Sequence, residues 1–180
     1  MKKILDLGCG NKKKTGAIGI DINPDTSADV IHDLNLFPYP FEESTFDEIY
    51  ADNVIEHLDD IVKIMDEIYR ISKPGGKIIV KVPYFRSRYA FIDPTHKHYF
   101  TVESFTYFDP SHIHHTRYNY SKSLFKTTGK YFNNGFPSEN IVKRCLTGFF
   151  NRNPEFYEHY FSTLFPLDEL TFHLTTIKEK

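Results

Sequence analysis

Two glycines and two aspartates are the first residues of this chain whose types and spacing could do chemistry. Ile4-Leu5-Asp6-Leu7-Gly8-Cys9-Gly10 is a short apolar strand running into a glycine turn. Ile18-Gly19-Ile20-Asp21 is a second strand ending in a carboxylate, and Ala28-Asp29-Val30-Ile31-His32-Asp33 is a third ending the same way. Glycines after the first strand let a ligand approach the backbone, because no Cβ intervenes. A carboxylate just past the second strand can accept both hydroxyls of a ribose. Asp33 could accept a hydrogen bond from an adenine amino group, or could simply open a turn with Leu34 and Asn35. Together these positions describe an adenosine cradle at the carboxyl ends of parallel strands.

The turn narrows the choice of adenosine ligand. Lys13 stands where G-x-G-x-x-G would have its third glycine, and only Asn11 to Gly16 separate Gly10 from the second strand. That span holds one helical turn at most, whereas a pyrophosphate is normally held by a full helix N-terminus at this place. NAD or FAD is therefore poorly served. S-adenosylmethionine (SAM) carries no phosphate and needs the glycines and the acid without the helix.

A second cluster of chemically capable residues, Asp93-Pro94-Thr95-His96-Lys97-His98, lies just beyond the fifth strand. Methyl transfer from a sulfonium is an in-line displacement in which the enzyme mainly aligns the nucleophile, about 3–3.5 Å from the carbon. A hydroxyl or amine nucleophile must also lose a proton, and a histidine titrating near neutrality suits that task. His96 is the expected base, with Asp93 orienting it and His98 beside it; the same loop could equally be surface with incidental histidines. His96-x-His98 and His112-x-His114-His115, with Asp93, also offer ligands for zinc or another divalent ion. Their spacings fit no metal template, so no metal is assigned.

Leu5-Asp6-Leu7-Gly8-Cys9-Gly10, Gly19-Ile20-Asp21, Phe46-Asp47-Glu48-Ile49-Tyr50-Ala51-Asp52 with Glu56-His57-Leu58, and Lys73-Pro74-Gly75-Gly76-Lys77 occur in this order. The set resembles the successive signatures of class I SAM-dependent methyltransferases, most closely the small type 11 branch, over residues 1 to about 83. Lys12 replaces the third glycine of that family's first motif. The resemblance implies a seven-stranded, Rossmann-like doubly wound α/β sheet, mostly parallel with an antiparallel last strand, here with its first crossover helix reduced. It implies a cofactor pocket built from Asp6, Gly8, Gly10, Asp21, Ile22, Asp33, Leu34, Asp52, Asn53 and His57. In that pocket Asp6 lies near the methionine ammonium, and Asp52 and Asn53 lie at the mouth where the methyl group sits. His57 could equally be a satisfied core histidine.

The elements that must position these residues can be read coarsely. Strands are expected at 3–7, 17–21, 29–32 and 46–51. Phe37-Pro38-Tyr39-Pro40-Phe41 is a stiff loop. Asp59 or Asp60 can cap a helix with Ile61, Ile64, Met65, Ile68 and Ile71 on one face, stopped by Pro74-Gly75-Gly76. Lys77 to Val82 is a fifth strand whose run of apolar residues suits a buried parallel strand. Residues 83–121 read as irregular apart from a short helix near Val102 to Phe108. Leu124 to Phe132 is a sixth strand, residues 134–166 an insertion with a helix from Pro154 through Phe165, and Leu167 to Ile177 the last strand.

Composition divides the chain of 180 residues. Residues 1–80 hold 9 Lys+Arg against 15 Asp+Glu, and residues 81–180 hold 13 against 9. The second part also carries 23 of the 29 Phe and Tyr and 7 of the 9 His. One domain is expected, with a cofactor half at 1–83 and a substrate-facing half at 84–180. The two cysteines make no disulfide framework, no apolar run approaches the roughly 20 residues of a membrane span, and no signal peptide is read, so the cytoplasm is the expected compartment. Lys12, Lys13 and Lys14 are expected to form a solvated loop. The expected function is SAM-dependent methylation of oxygen or nitrogen on a small polar or glycan-type acceptor, with Tyr84, Phe85, Tyr89 and Phe91 stacking on sugar faces. Two alternatives stand beside it. One is an RNA methyltransferase using Arg117, Lys122, Lys126 and Lys130 interleaved with Tyr118, Tyr120, Phe125 and Tyr131; the other is a non-catalytic SAM-binding accessory subunit.

Overall fold

The computed structural model describes residues 2–133 and 141–178. Seven strands form one sheet: β1 (Ile4–Leu7), β2 (Ile18–Asp21), β3 (Val30–Ile31), β4 (Phe46–Asp52), β5 (Ser72–Pro83), β6 (Phe125–Phe132) and β7 (Glu169–Thr176). Their order is β3-β2-β1-β4-β5-β7-β6. The first five pair in parallel, and β7 runs antiparallel between β5 and β6. This is the expected α/β sheet, with its last strand antiparallel.

Three of the crossovers, 8–17, 22–29 and 32–45, contain no helix. A single long crossover helix, α1 (Ile61–Ile71), joins β4 to β5. Its Asp60 side chain caps it by accepting the Lys63 N–H at 3.1 Å, which satisfies one of the unpaired donors at a helix start. Ile64, Met65, Ile68 and Ile71 recur at helical spacing and are fully buried. The proline-stiffened loop is tied to the same helix: Glu67 accepts the Tyr39 N–H at 2.6 Å and Arg70 donates to the Tyr39 carbonyl at 3.1 Å.

Register shows how the sheet manages with so few helices. Leu5, Ile49, Ile78 and Leu174 lie side by side on one face, as do Leu7, Ala51, Val80 and Phe172. All eight are buried in the core with α1, Phe105 and Phe108. The opposite rows are Glu48, Lys77 and Thr175, then Asp6, Tyr50, Ile79 and His173, then Asp52, Lys81 and Thr171. These rows are mostly half-buried and carry cross-strand ion pairs such as Lys81 to Glu169 at 3.0 Å and Lys2 to Glu48. The expectation that β5 is a buried parallel strand is thus corrected. Parallel strands are normally covered on both sides by crossover helices; here those helices are absent, so β5 alternates like a strand with one wet face.

The second half departs from the coarse reading in other ways. Residues 83–121 hold two short helices, α2 (Tyr89–Ile92) and α3 (Ile113–Tyr118), and a 3₁₀ turn at Thr106–Phe108. The expected insertion starts at residues 134–140, which lie outside the described residues. After them comes an unexpected helix, α4 (Ile141–Phe150), then α5 (Pro154–Tyr160). The latter stops five residues short of the expected Phe165. The Tyr157 hydroxyl donates to the Phe165 carbonyl at 2.8 Å and accepts the Leu167 N–H at 2.9 Å, folding that segment back as a loop. Cys9 is buried and Cys145 exposed, both free. Among the described residues no helix is long and apolar enough to cross a membrane.

The one-sided burial is measurable. Ile78→Ala should cost about 2–5 kcal/mol, the usual range for truncating a buried isoleucine. Its neighbour Ile79→Ala, on the wet face, should cost less than about half of that. Urea denaturation of the two variants compares them directly; equal losses would mean the second face is as dry as the first.

Candidate active site

The glycine turn at the end of β1 is held by its conformation and by Asp21. Gly8 and Gly10 have φ of +62° and +49°, values that suit glycine. A Cβ on Gly8 would also stand 2.4 Å from Val54 Cγ2, so the turn packs directly on the segment after β4. Asp21 accepts the Gly10 N–H on one oxygen and the Asn23 N–H on the other, each at 2.9 Å. Each oxygen keeps a lone pair for a further donor. Ile22, next in the chain, is 63% exposed. Asp33 accepts the Asn35 N–H at 2.9 Å in a local turn, with its second oxygen free of that bond. Leu34 is buried, and its carbonyl accepts the Tyr39 hydroxyl at 3.0 Å.

The lysine loop is not merely solvated, which corrects the sequence expectation. Lys13 pairs with both oxygens of Asp29 at 2.8 Å. Lys14 donates its N–H to the buried Asp6 at 2.8 Å, pairs through Nζ with Asp52 at 2.6 Å, and lies over the Tyr50 ring. Lacking a crossover helix, the loop covers part of the wet face with these contacts. Burial raises the Asp6 carboxyl above its usual range, opposed by the Lys14 backbone bond and charge. Asn53, the residue just past β4, has φ +50° and donates to Glu169 at 3.3 Å.

Beyond Asn53 the chain makes a 3₁₀ turn, Ile55–His57, that carries a buried acid. Glu56 is 1% exposed, and neither of its carboxylate oxygens meets a hydrogen-bond donor from another residue. Burial pushes its carboxyl up to about 7. Its backbone carbonyl receives the N–H groups of Lys97 at 2.8 Å and His98 at 3.3 Å. That pair of main-chain hydrogen bonds brings the loop after α2 onto the turn. His57 and His96 then meet edge to face with ring centroids 4.7 Å apart. Glu56, His57 and His96 each offer one ligand atom, all within 4.8 Å of one another.

Hydrogen bonding fixes how the two imidazoles present themselves. His96 Nδ1 lies 3.0 Å from the Ala90 carbonyl, which can only accept. Nδ1 therefore carries the hydrogen and Nε2 the lone pair of the neutral ring. Thr95 Oγ1 donates to Asp93 at 2.7 Å and so accepts from His57 Nδ1 at 2.8 Å. The neutral His57 is left in the same tautomer. Burial, then the neighbouring His96, holds His57 below the usual imidazole range.

This arrangement changes several expected roles. Asp93 does not orient His96; it is taken up by the Thr95 N–H and hydroxyl and acts through Thr95 on His57. His98 is not brought into the cluster, because it bonds the Leu58 carbonyl at 2.8 Å. Glu56 escaped the sequence reading as a site residue although it precedes His57 in the quoted motif. The missed signal was an acid beside a histidine in a turn that follows a core strand. His114 stacks on Tyr107 and pairs with Glu103 at 3.2 Å, while His115 bonds the Tyr107 carbonyl, so neither joins His96. Tyr84 is fully buried and cannot stack on a sugar, whereas Tyr89 and Phe91 are exposed. The RNA stripe is broken up: Phe125 lies in the core, Lys130 pairs with Glu155, and Tyr131 packs on His173. A separate cleft of about 690 Å³ is lined by Phe85, Arg86, Glu103, Phe156 and Glu158 among others, and by none of the residues of the glycine turn or the histidine cluster.

The sheet order, the positive-φ glycine turn and the acid after β2 define a class I methyltransferase fold. A methyltransferase-domain family model matches residues 5–80. Through that segment, less than half of its length, the chain is similar to the methyltransferase-domain family. Among curated relatives, a sterol 4-C-methyltransferase of Caenorhabditis elegans is 51% identical over 41 residues, covering 23% of this chain and 12% of that protein. The chloroplastic tocopherol O-methyltransferase of Arabidopsis thaliana is 29% identical over 104 residues, covering 44% of this chain and 30% of that protein. The chain thus spans less than a third of either relative. Among solved structures, a SAM-dependent methyltransferase from Archaeoglobus fulgidus superposes with a TM-score of 0.59 at 19% identity, covering 97% of this chain and 86% of that one. Phosphoethanolamine N-methyltransferase 2 of Haemonchus contortus, in complex with S-adenosyl-L-methionine, gives 0.59 at 14% identity, covering 99% and 50%. These two likenesses concern the fold.

The clamp at the Glu56 turn predicts a specific weakness. His98→Ala leaves the Leu58 carbonyl unpaired and should cost about 1–3 kcal/mol. Amide hydrogen exchange should rise across residues 93–98 while the β4 and β5 amides stay protected. Unchanged protection in that loop would mean the clamp lies elsewhere.

Proposed function

We propose that the chain is a SAM-dependent methyltransferase that transfers a methyl group to oxygen or nitrogen of a small acceptor. The observation that carries this reading is the positive-φ turn at Gly8 and Gly10, bonded to an Asp21 carboxylate that keeps free lone pairs. Such a turn admits a nucleoside without needing a phosphate-binding helix. Asp21 would take the ribose hydroxyls, the free oxygen of Asp33 the adenine amino group, and the exposed Ile22 would cover the adenine. Leu34 backs the same pocket from the core. Asp6 and Asp52, linked through Lys14, would face the methionine end, with Asn53 at the methyl mouth. At transfer the methyl carbon bonds to the acceptor as its bond to sulfur breaks. The sulfur keeps the electron pair as a neutral thioether. The acceptor's proton would be lost at the mouth lined by His57 and His96, whose Nε2 atoms carry lone pairs.

The acceptor class follows from two supports. The names of three curated relatives give small molecules as acceptors: a sterol, tocopherol and phosphoethanolamine. In the segment that carries His96 the exposed large apolar side chains are Phe91, Ile92 and Tyr99, with Phe91 and Tyr99 stacked 4.8 Å apart. That surface suits an acceptor with an apolar or ring-bearing body better than a polyanion. Polar and glycan-type acceptors remain within this class where a sugar ring supplies the flat face.

Asp21→Ala should weaken SAM binding at least tenfold, because a charge-assisted acceptor for two hydroxyls is lost, worth about 1.5–3 kcal/mol. Isothermal calorimetry measures it, with circular dichroism to show that the variant is folded. An unchanged dissociation constant would mean that the ribose is held elsewhere, and no binding by the native chain at millimolar SAM would end the cofactor reading.

A further inference from the structure

We propose that Glu56, His57 and His96 bind a divalent transition-metal ion, and that the open positions of that ion take a hydroxyl oxygen of the acceptor. The first ground is Glu56 itself. A carboxylate withdrawn from water without a donor is costly, and a cation is the partner that repays the cost. Glu56 is 1% exposed and both its oxygens are unmet by other residues, in the turn just past Val54, which packs on Gly8. The second ground is the state of the imidazoles. Metal-binding histidines characteristically donate the other ring N–H to a carbonyl or carboxylate, which fixes the tautomer and the ring. His96 does this to the Ala90 carbonyl, and His57 does it to Thr95, itself fixed by Asp93.

The third ground is distance. Three atoms no more than 4.8 Å apart share a point within about 2.8 Å of each, so side-chain movements of roughly 0.7 Å reach the usual 2.0–2.2 Å bonds to zinc. The backbone on both sides is already locked, since the Glu56 carbonyl holds the N–H groups of Lys97 and His98. Two imidazole nitrogens and one carboxylate suit zinc, cobalt, iron, nickel or manganese rather than the all-oxygen sites of calcium. Three protein ligands leave at least one position open. A hydroxyl bound there becomes more acidic. It releases its proton to bulk water, and its oxygen attacks the methyl carbon as the sulfonium C–S bond breaks. His96 is then a ligand instead of the base. This last step rests on the cofactor reading above; the ion site does not.

The test uses the full chain, stripped with EDTA and dialysed, then titrated with Co²⁺ and Zn²⁺ by calorimetry and by the visible absorption of cobalt. The expected result is one ion per chain at micromolar or tighter affinity, with cobalt bands typical of nitrogen and oxygen ligands. Glu56→Gln and His96→Ala should each weaken binding at least tenfold. Thr95→Val, which removes no ligand, should weaken it by about 10–100-fold by freeing His57. The double variant His112→Ala, His114→Ala should bind as the native chain does. No ion bound at about 1 mM would overturn the proposal, as would binding that Glu56→Gln and His96→Ala leave unaltered or that follows His112 and His114. Thr95→Val keeps the test decisive if a ligand variant fails to fold. SAM titrations on the same samples separate the two readings. Asp21→Ala should lose SAM and keep cobalt, whereas cobalt binding by a native chain that never binds SAM would leave the ion site standing and remove the acceptor's role.

Discussion

Water on one side of the sheet is the constraint from which the rest of this structure follows. Three crossovers without helices leave α1 as the long helix available to the parallel strands, and it covers one face. Every central strand must then alternate. Ile49, Ala51, Ile78 and Val80 turn inward while Glu48, Tyr50, Lys77 and Lys81 turn outward. The outward row is tolerable because Glu48 and Lys81 are paired, with Lys2 and Glu169 respectively. The Lys14 loop belongs to the same solution, laying an aliphatic stem and an ammonium over Tyr50 where a helix would otherwise sit.

The site is assembled at the carboxyl ends of the same strands by main-chain bonds. Val54 packs on Gly8, so the 3₁₀ turn that follows is seated against the cofactor cradle. The Glu56 carbonyl then collects two N–H groups from a loop about forty residues on. Closing such a loop costs conformational entropy that grows only slowly with its length. The backbone bonds and the His98 contact offset part of that cost before any ligand arrives. Side chains that could do chemistry are thereby held by groups that do none, which is how a precise site is built on irregular chain.

Much of this was legible in the sequence, and the reasons for the remainder are physical. The glycine turn, the acids at 21 and 33 and the capped apolar stripe of α1 are local patterns whose spacing states their structure. The sheet's antiparallel strand came from the family resemblance rather than from the residues of 167–177. The burial of β5 was misread because Ile78, Ile79 and Val80 look like a two-sided core strand; which face is dry depends on helices elsewhere in the chain. Asp93 beside His96 invited a direct pairing, but Thr95 lies closer and satisfies the carboxylate first. Glu56 was invisible as a site residue because its significance lies in what it lacks, a partner, and absence of a partner is a tertiary property.

The sheet also has two edges, and both are closed to a further strand. At one edge β3 is only two residues long, Val30 and Ile31, too short to template pairing with another chain. At the other, β6 slips register between Thr127 and Gly129 and carries Lys126 and Lys130. Short strands, bulges and lysines are the devices by which open sheets avoid joining edge to edge. A protein that leaves one sheet face wet has more need of them than most. Protection against edge-to-edge pairing is thus built into the ends of the strand order as well as the charges across its face.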